Sequence, residues 1–207
     1  MRKVPKRAGF RLRHITFTPK GHMMRRLLAL ASLVLSLSQM SATVQANAPS
    51  PEAAHMSTAR PFAAPVGFQI FCLQNAKYCR GGGAAEIRLT DKVFGVLQAV
   101  NRQVNGAISP RADRNDTWSI GVSSGDCEDY VLAKRAALIK AGVAASALRI
   151  GLARTRSGEG HAVLIVRTSE GDLVLDNMTS SILPWNQSGL RWVAMTTSNG
   201  KSFQAVN

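Results

Sequence analysis

From residue 89 onward the apolar positions follow two different periods. Val93, Val96, Leu97, Val100 and Val104 recur at intervals of three and four, the spacing that lines one face of a helix, and Thr90 is placed to cap its start. This predicts a core-facing helix within 89–108. The polar stretch GAISPRADRND, broken by Pro110, then reads as a loop, and Trp118 and Ile120 form a short apolar approach. Ser123, Ser124, Gly125 and Asp126 offer caps for CEDYVLAKRAALIKAG, an Ala- and Leu-rich helix that Gly142 stops. Four runs dominated by Val, Ile and Leu follow: LRIGLART from Leu148, HAVLIVRT from His161, DLVLDNMT from Asp172 and RWVAMTTS from Arg191. They predict strands, with Glu170-Gly171 as the hairpin turn between the middle two. Helix first and antiparallel sheet later is an α+β arrangement.

Charge and hydropathy near the start change the boundaries. Nine of the 26 Lys and Arg precede residue 47, where no acidic residue occurs, so the +14 net charge falls to an ordinary +5 beyond it. No basic stripe or interleaved aromatics remain in the folded part, which argues against nucleic-acid binding. Residues 24–48 combine a basic start, an apolar run from Leu27 to Leu37 and small residues before Ala46 and Ala48, which reads as a secretory signal cut after 46 or 48. The run is too short for a membrane span of about 20 residues. Residues 1–23 are a basic extension that lies outside translation if Met23 or Met24 is the start. Residues 49–66, rich in Pro and Ala, read as an extended or loose lead-in, and 67–207 as one domain with a real core.

Export gives the three cysteines a meaning. Cys72 and Cys79, with six residues between them, are expected to form a disulfide in an oxidising compartment; the alternative is two buried thiols. No second Cys or His pair stands at zinc-ligand spacing. Cys127 is then unpaired and falls in the first turn of its helix. There the helix dipole and unpaired N–H groups favour a thiolate. Position alone leaves open a small residue packed under the helix start.

Two residues of the sheet complete a candidate set. His161, the only histidine beyond residue 55, begins a strand after the turn SGEG, which would leave its ring near solvent. Asp176 closes the apolar strand LVLDN, where burial without a partner is costly. A two-residue turn at Glu170-Gly171 puts both on one face of the hairpin but sets Asp176 opposite Ile165, four residues from His161 and out of reach. Asn177 is an alternative orienter on the other face.

GDCEDYVLAKRAALIKAG and GEGHAVLIVRTSEGDLVLDNMTSSILPW together resemble the bacterial transglutaminase-like cysteine peptidase family, which includes the LapG-type periplasmic proteases. The resemblance runs from about Phe68 to the C-terminus. It implies a papain-like fold with the Cys helix packed on an antiparallel sheet bearing His and Asp. It also implies Cys127 as nucleophile, His161 as general base and Asp176 as its orienter. Trp118 is a candidate oxyanion donor, set against a plain packing role. Asp126, Glu128 and Asp129 are explained by helix-start electrostatics alone. The resemblance adds Ca²⁺ held by these acids, Asp126 and Glu128 foremost. The expectation is an exported, periplasmic thiol hydrolase cutting a protein substrate, with a surface adhesin as one candidate and an inner-membrane regulatory partner. The alternatives are acyl transfer to an amine and a non-enzymatic calcium-responsive interaction domain. FCLQNAKYC lies outside the family's core motif and points to a subgroup with a different substrate.

Overall fold

The computed structural model describes residues 54–112 and 116–207. The basic extension, the signal segment, the start of the lead-in and part of the polar loop lie outside these residues. Among the described residues three α-helices form: α1 (Val66–Gln74), α2 (Asp91–Ala107) and α3 (Cys127–Lys140). Thr90 caps α2, its side chain accepting from the Val93 N–H at 3.2 Å. Gly142, at φ +90°, ends α3, and the Val143 N–H turns back onto the Leu138 carbonyl.

Seven strands make one sheet in which every neighbouring pair is antiparallel: β1 (Thr58–Phe62), β4 (Leu148–Arg154), β5 (Gly160–Thr168), β6 (Gly171–Leu175), β7 (Ile182–Pro184), β8 (Arg191–Thr196) and β9 (Phe203–Val206). Their order is β1-β9-β8-β4-β5-β6-β7. Two short strands, β2 (Ser109–Pro110) and β3 (Ser124–Gly125), pair in parallel just before α3. Thr58–Phe62, inside the stretch read as an extended or loose lead-in, is an edge strand on β9.

Both faces of β5, an interior strand, are covered. Ala162, Leu164 and Val166 of β5 enter the larger core with Leu97, Val100, Val131 and Leu138 of the helices. Val163 and Ile165, which alternation sends to the other face, join Met56, Val174 and Met195. Trp185 and Trp192 pack on this smaller cluster, as structural residues.

The hairpin between β5 and β6 differs from the sequence expectation. Thr168 pairs with Gly171, so the turn is Ser169-Glu170 and Gly171 is in the strand. Thr168 fixes this choice: its hydroxyl donates to the Gly171 carbonyl at 2.7 Å and accepts from the Glu170 N–H at 3.2 Å. Gly171 is also held against the Ala54 carbonyl, where a Cβ would approach to 2.4 Å. The register is therefore displaced by two residues, and its continuation sets Asp176 opposite Val163 rather than Ile165.

A buried cation joins α3 to three other segments. Arg135, 3% exposed, donates to the carbonyls of Tyr78, Arg80, Ala145 and Leu148. Arg135→Met keeps the volume but orphans these acceptors. Since an unmade buried hydrogen bond costs about 1–3 kcal/mol, we expect a loss of about 3–5 kcal/mol in urea unfolding.

Candidate active site

Cys127 is the first residue of α3, with Asp126 as the N-cap residue. Asp129 holds this start in place, its carboxylate accepting from the Ser119 N–H at 2.7 Å and the Asp126 N–H at 3.3 Å. Gly125 is required by the same contact, because a Cβ there would lie 2.0 Å from an Asp129 oxygen. The acid at position 129 thus anchors the turn that presents the sulfur. Cys127 is the free cysteine among the described residues, Cys72 and Cys79 being bridged.

His161 Nε2 and Asp176 Oδ1 are 2.9 Å apart, in a largely buried hydrogen bond. With Asp176 opposite Val163, only two residues separate the pair along one hairpin face, and β6 has already ended at Leu175. The shifted register is what closes the gap that the sequence reading left open. His161 is only 8% exposed, so the SGEG turn does not leave its ring in solvent. Asp176 Oδ1 also accepts from the Met178 N–H at 2.9 Å. Asn105 of α2 secures the segment from behind, donating to the carbonyls of Asp176 and Thr179 at 2.9 and 3.1 Å. The ring's hydrogen bond is to Asp176 and not to Asn177.

Cys127, Glu128, His161 and Trp118 line one open cavity of about 350 Å³, between α3 and the β4–β5 end of the sheet. Ala162, next to His161 on β5, shares this cavity with Cys127, and its backbone acts to lower the pKa of the thiol. Trp118 is a wall of this cavity, packed edge-on against Phe68 with ring centroids 5.1 Å apart. Its indole N–H donates to Asp116 Oδ1 at 3.2 Å.

Burial first, and then the neighbouring acids, favour the protonated thiol. Burial, then the charge and hydrogen bond of Glu128, push the Cys127 thiol up to about 12 against the opposing Ala162 N–H. The thiol donates to Glu128 Oε2 at 3.1 Å. Burial also lifts Glu128 well above the ordinary carboxylate range, with Asp126 adding to it. Burial works against ionisation of Asp176 too. There the His161 and Met178 hydrogen bonds and the charges of His161 and Lys134 win, and its carboxyl lies below its usual value.

Lys134 was not singled out by the sequence, although it sits among Tyr130, Val131 and Leu138 on the apolar side of α3. It is 1% exposed, and its ammonium faces the Leu175 carbonyl at 3.4 Å, next to Asp176. Burial lowers its pKa to about 7, with Asp176 opposing. A lysine depressed in the fold binds fewer protons there than in the unfolded chain between pH 7 and about 10.5. The stability of the protein relative to Lys134→Met should therefore rise with pH across that window, as measured by urea unfolding at pH 7 and pH 10.

Asp126, Glu128 and Asp129 offer oxygen donors of the kind Ca²⁺ takes. Among the described residues, however, no three acidic, Cys or His side chains converge as a metal-binding group. Asp129 is committed to holding the turn, whereas Glu128 engages the sulfur. The donor set has the chemistry for a cation completed by carbonyls and water, with Glu128 and Asp129 each exchanging a present hydrogen bond for the ion.

Comparison with the curated proteins found no match. Among solved structures, three of LapG from Legionella pneumophila resemble the chain at 28% identity. The calcium-bound form gives a TM-score of 0.47, covering 51% of this chain and 65% of LapG. A second gives 0.48, covering 55% and 68%. The EGTA-treated form gives 0.49, covering 55% and 67%. The chain thus spans about two thirds of the LapG chains it matches. The family model of bacterial transglutaminase-like cysteine proteinases matches residues 58–206, nearly the whole of the described domain. By that match, the chain belongs to this family of cysteine peptidases.

Proposed function

We propose that the protein is an exported cysteine peptidase that hydrolyses a peptide bond of a protein substrate, with Cys127 as nucleophile, His161 as general base and Asp176 as orienter. The supporting observation is the His161–Asp176 hydrogen bond beside a cavity that His161 shares with the Cys127 sulfur. Asp176 accepts from Nε2–H, which leaves Nδ1 to take the thiol proton. The thiolate adds to the amide carbonyl, and the imidazolium returns the proton to the departing amine. Water, deprotonated by His161, then cleaves the thioester, releasing the carboxylic acid and restoring the thiol. We assign the oxyanion to the Cys127 backbone N–H at the helix start. Trp118 joins it only by giving up Asp116.

Glu128 is both the group that keeps the thiol proton and the best candidate ligand for calcium. A bound Ca²⁺ supplies positive charge that offsets the acid cluster. Asp126 and Glu128 would hold the ion, and Glu128, so engaged, would no longer compete with His161 for the thiol proton. The disulfide is consistent with export, and we place the protein in the periplasm. A surface adhesin as substrate and an inner-membrane regulator follow from the family resemblance.

The test is to compare secreted and surface proteins of a deletion strain restored with the wild-type gene or with Cys127→Ala. A protein shortened only by the wild type, whose new C-terminus is a free carboxylate rather than an amine adduct, supports hydrolysis. Identical protein lengths in the two strains would refute it.

A further inference from the structure

Helix α1 is apolar on both sides. Phe68 and Phe71 are buried, each 2% exposed, as the core demands. Yet Val66, Ile70 and Leu73 are 68%, 50% and 85% exposed. At spacings of four and three they fall within one narrow arc, so they form a stripe along the outward face. Surface helices normally carry polar residues there, and grouped exposed apolar side chains mark contact sites. These three account for most of the large exposed apolar side chains among the described residues, the others being Phe62 and Met178.

The stripe borders a second recess of about 310 Å³, lined by Val66, Ile70 and Phe71 on one side and Asp116 and Trp118 on the other. Asp116 and Trp118 are also walls of the catalytic cavity, to which Pro65 contributes just before the helix. The two spaces are therefore neighbours across a single indole. Their relation is fixed by close packing. A Cβ on Gly67 would lie 1.9 Å from the Asp116 carbonyl and 2.7 Å from Trp118, so α1 is seated directly on that wall. The Cys72–Cys79 bridge ties the end of α1 to the following turn.

We infer that the recess behind Val66 and Ile70, with the stripe continuing to Leu73, is a substrate subsite that binds an apolar side chain of the polypeptide being cut. This rests on the peptidase reading. Continuity with the catalytic cavity favours substrate over an independent partner: a chain lying across Cys127 reaches the recess by passing Trp118. Size favours it too. Three side chains fall far short of the roughly 800 Å² per partner of a stable interface. The recess is at the lower end of the roughly 300–1,000 Å³ of ligand pockets. FCLQNAKYC, which lies outside the Cys, His and Asp motifs, is the end of this helix and its bridge.

The test is cleavage profiling of a peptide library made from a digested proteome, with Ca²⁺ present. The wild type and two variants, Leu73→Ser and Ile70→Ser/Leu73→Ser, are compared. All the replaced side chains are at least half exposed, and equal melting temperatures check that the fold is kept. The wild type should enrich Leu, Ile, Val, Met or Phe at one position on one side of the cut. The double variant should lower the rate ratio of apolar over Ser at that position by about tenfold, the lower range for one apolar side chain in a pocket. Leu73→Ser should give a smaller fall. Cleavage with no such preference, or with a preference that the double variant keeps, overturns the subsite alone. No cleavage by the wild type overturns the peptidase reading and the subsite with it. A wild-type dimer in sedimentation that the double variant splits would assign the stripe to self-association instead.

Discussion

Cys127→Ala and His161→Ala should each lower peptide hydrolysis by at least about 10³-fold, and combining them should cost little more, because nucleophile and base act as one unit. Neither change should unfold the protein. Cys127 is only partly buried, and the His161 ring bonds to a carboxylate that keeps its Met178 N–H. Asp176 is different. Asp176→Ala removes the acceptor of Met178 and the charge facing Lys134, so activity and stability should fall together. Asp176→Asn can still accept from the His161 ring, and its activity should lie between wild type and the alanine variants. The measurement is initial rate on a cleavable protein, with urea unfolding alongside. Turnover of His161→Ala within about tenfold of wild type would remove the proposed base.

Glu128→Gln should make the thiol more reactive without calcium and the enzyme less active with it. In the structure Glu128 raises the Cys127 pKa by its charge and by accepting the thiol proton. Removing the charge lowers that pKa, and each unit of the fall multiplies the thiolate fraction tenfold below the pKa. Iodoacetamide labelling of Cys127 in EGTA at pH 8 should therefore quicken by about tenfold or more in Glu128→Gln. In the wild type, Ca²⁺ should quicken labelling, raise activity and raise the melting temperature, whereas Mg²⁺ should not. Glu128→Gln should lose most of that response. If Ca²⁺ changes neither labelling nor melting in the wild type, the acids are ordinary helix-start residues.

The central elements are legible because their residues are patterned by burial. The Val and Leu positions of α2 face a core, and β5 is a continuous apolar run because both of its faces are covered. Thr90 and Gly142 mark helix ends by the local chemistry of a cap and a left-handed residue. The edges are not legible. TARPF and FQAV are short, and they become strands by pairing, TARPF with FQAV and FQAV also with β8, contacts that no local pattern contains. The hairpin register fails for a related reason: Glu-Gly is a good turn by itself, but the Thr168 hydroxyl and the Ala54 backbone select Ser169-Glu170. At the site, residue type and place single out Cys127, His161 and Asp176 as candidates, but the contact between the last two depends on the hairpin register. Asp129 as an anchor and Lys134 as a buried ammonium depend on which way each side chain turns, which spacing only hints at.

Pairing of β1 with β9 joins the first and last strands of the sheet. Such a contact spans the length of the domain, so it forms late and only once the final strand is available. Until β9 has paired, β8 lacks the neighbour that separates it from solvent, and Phe203 is missing from the core. The sheet is therefore closed in one late step, in which β9 takes its place between β1 and β8.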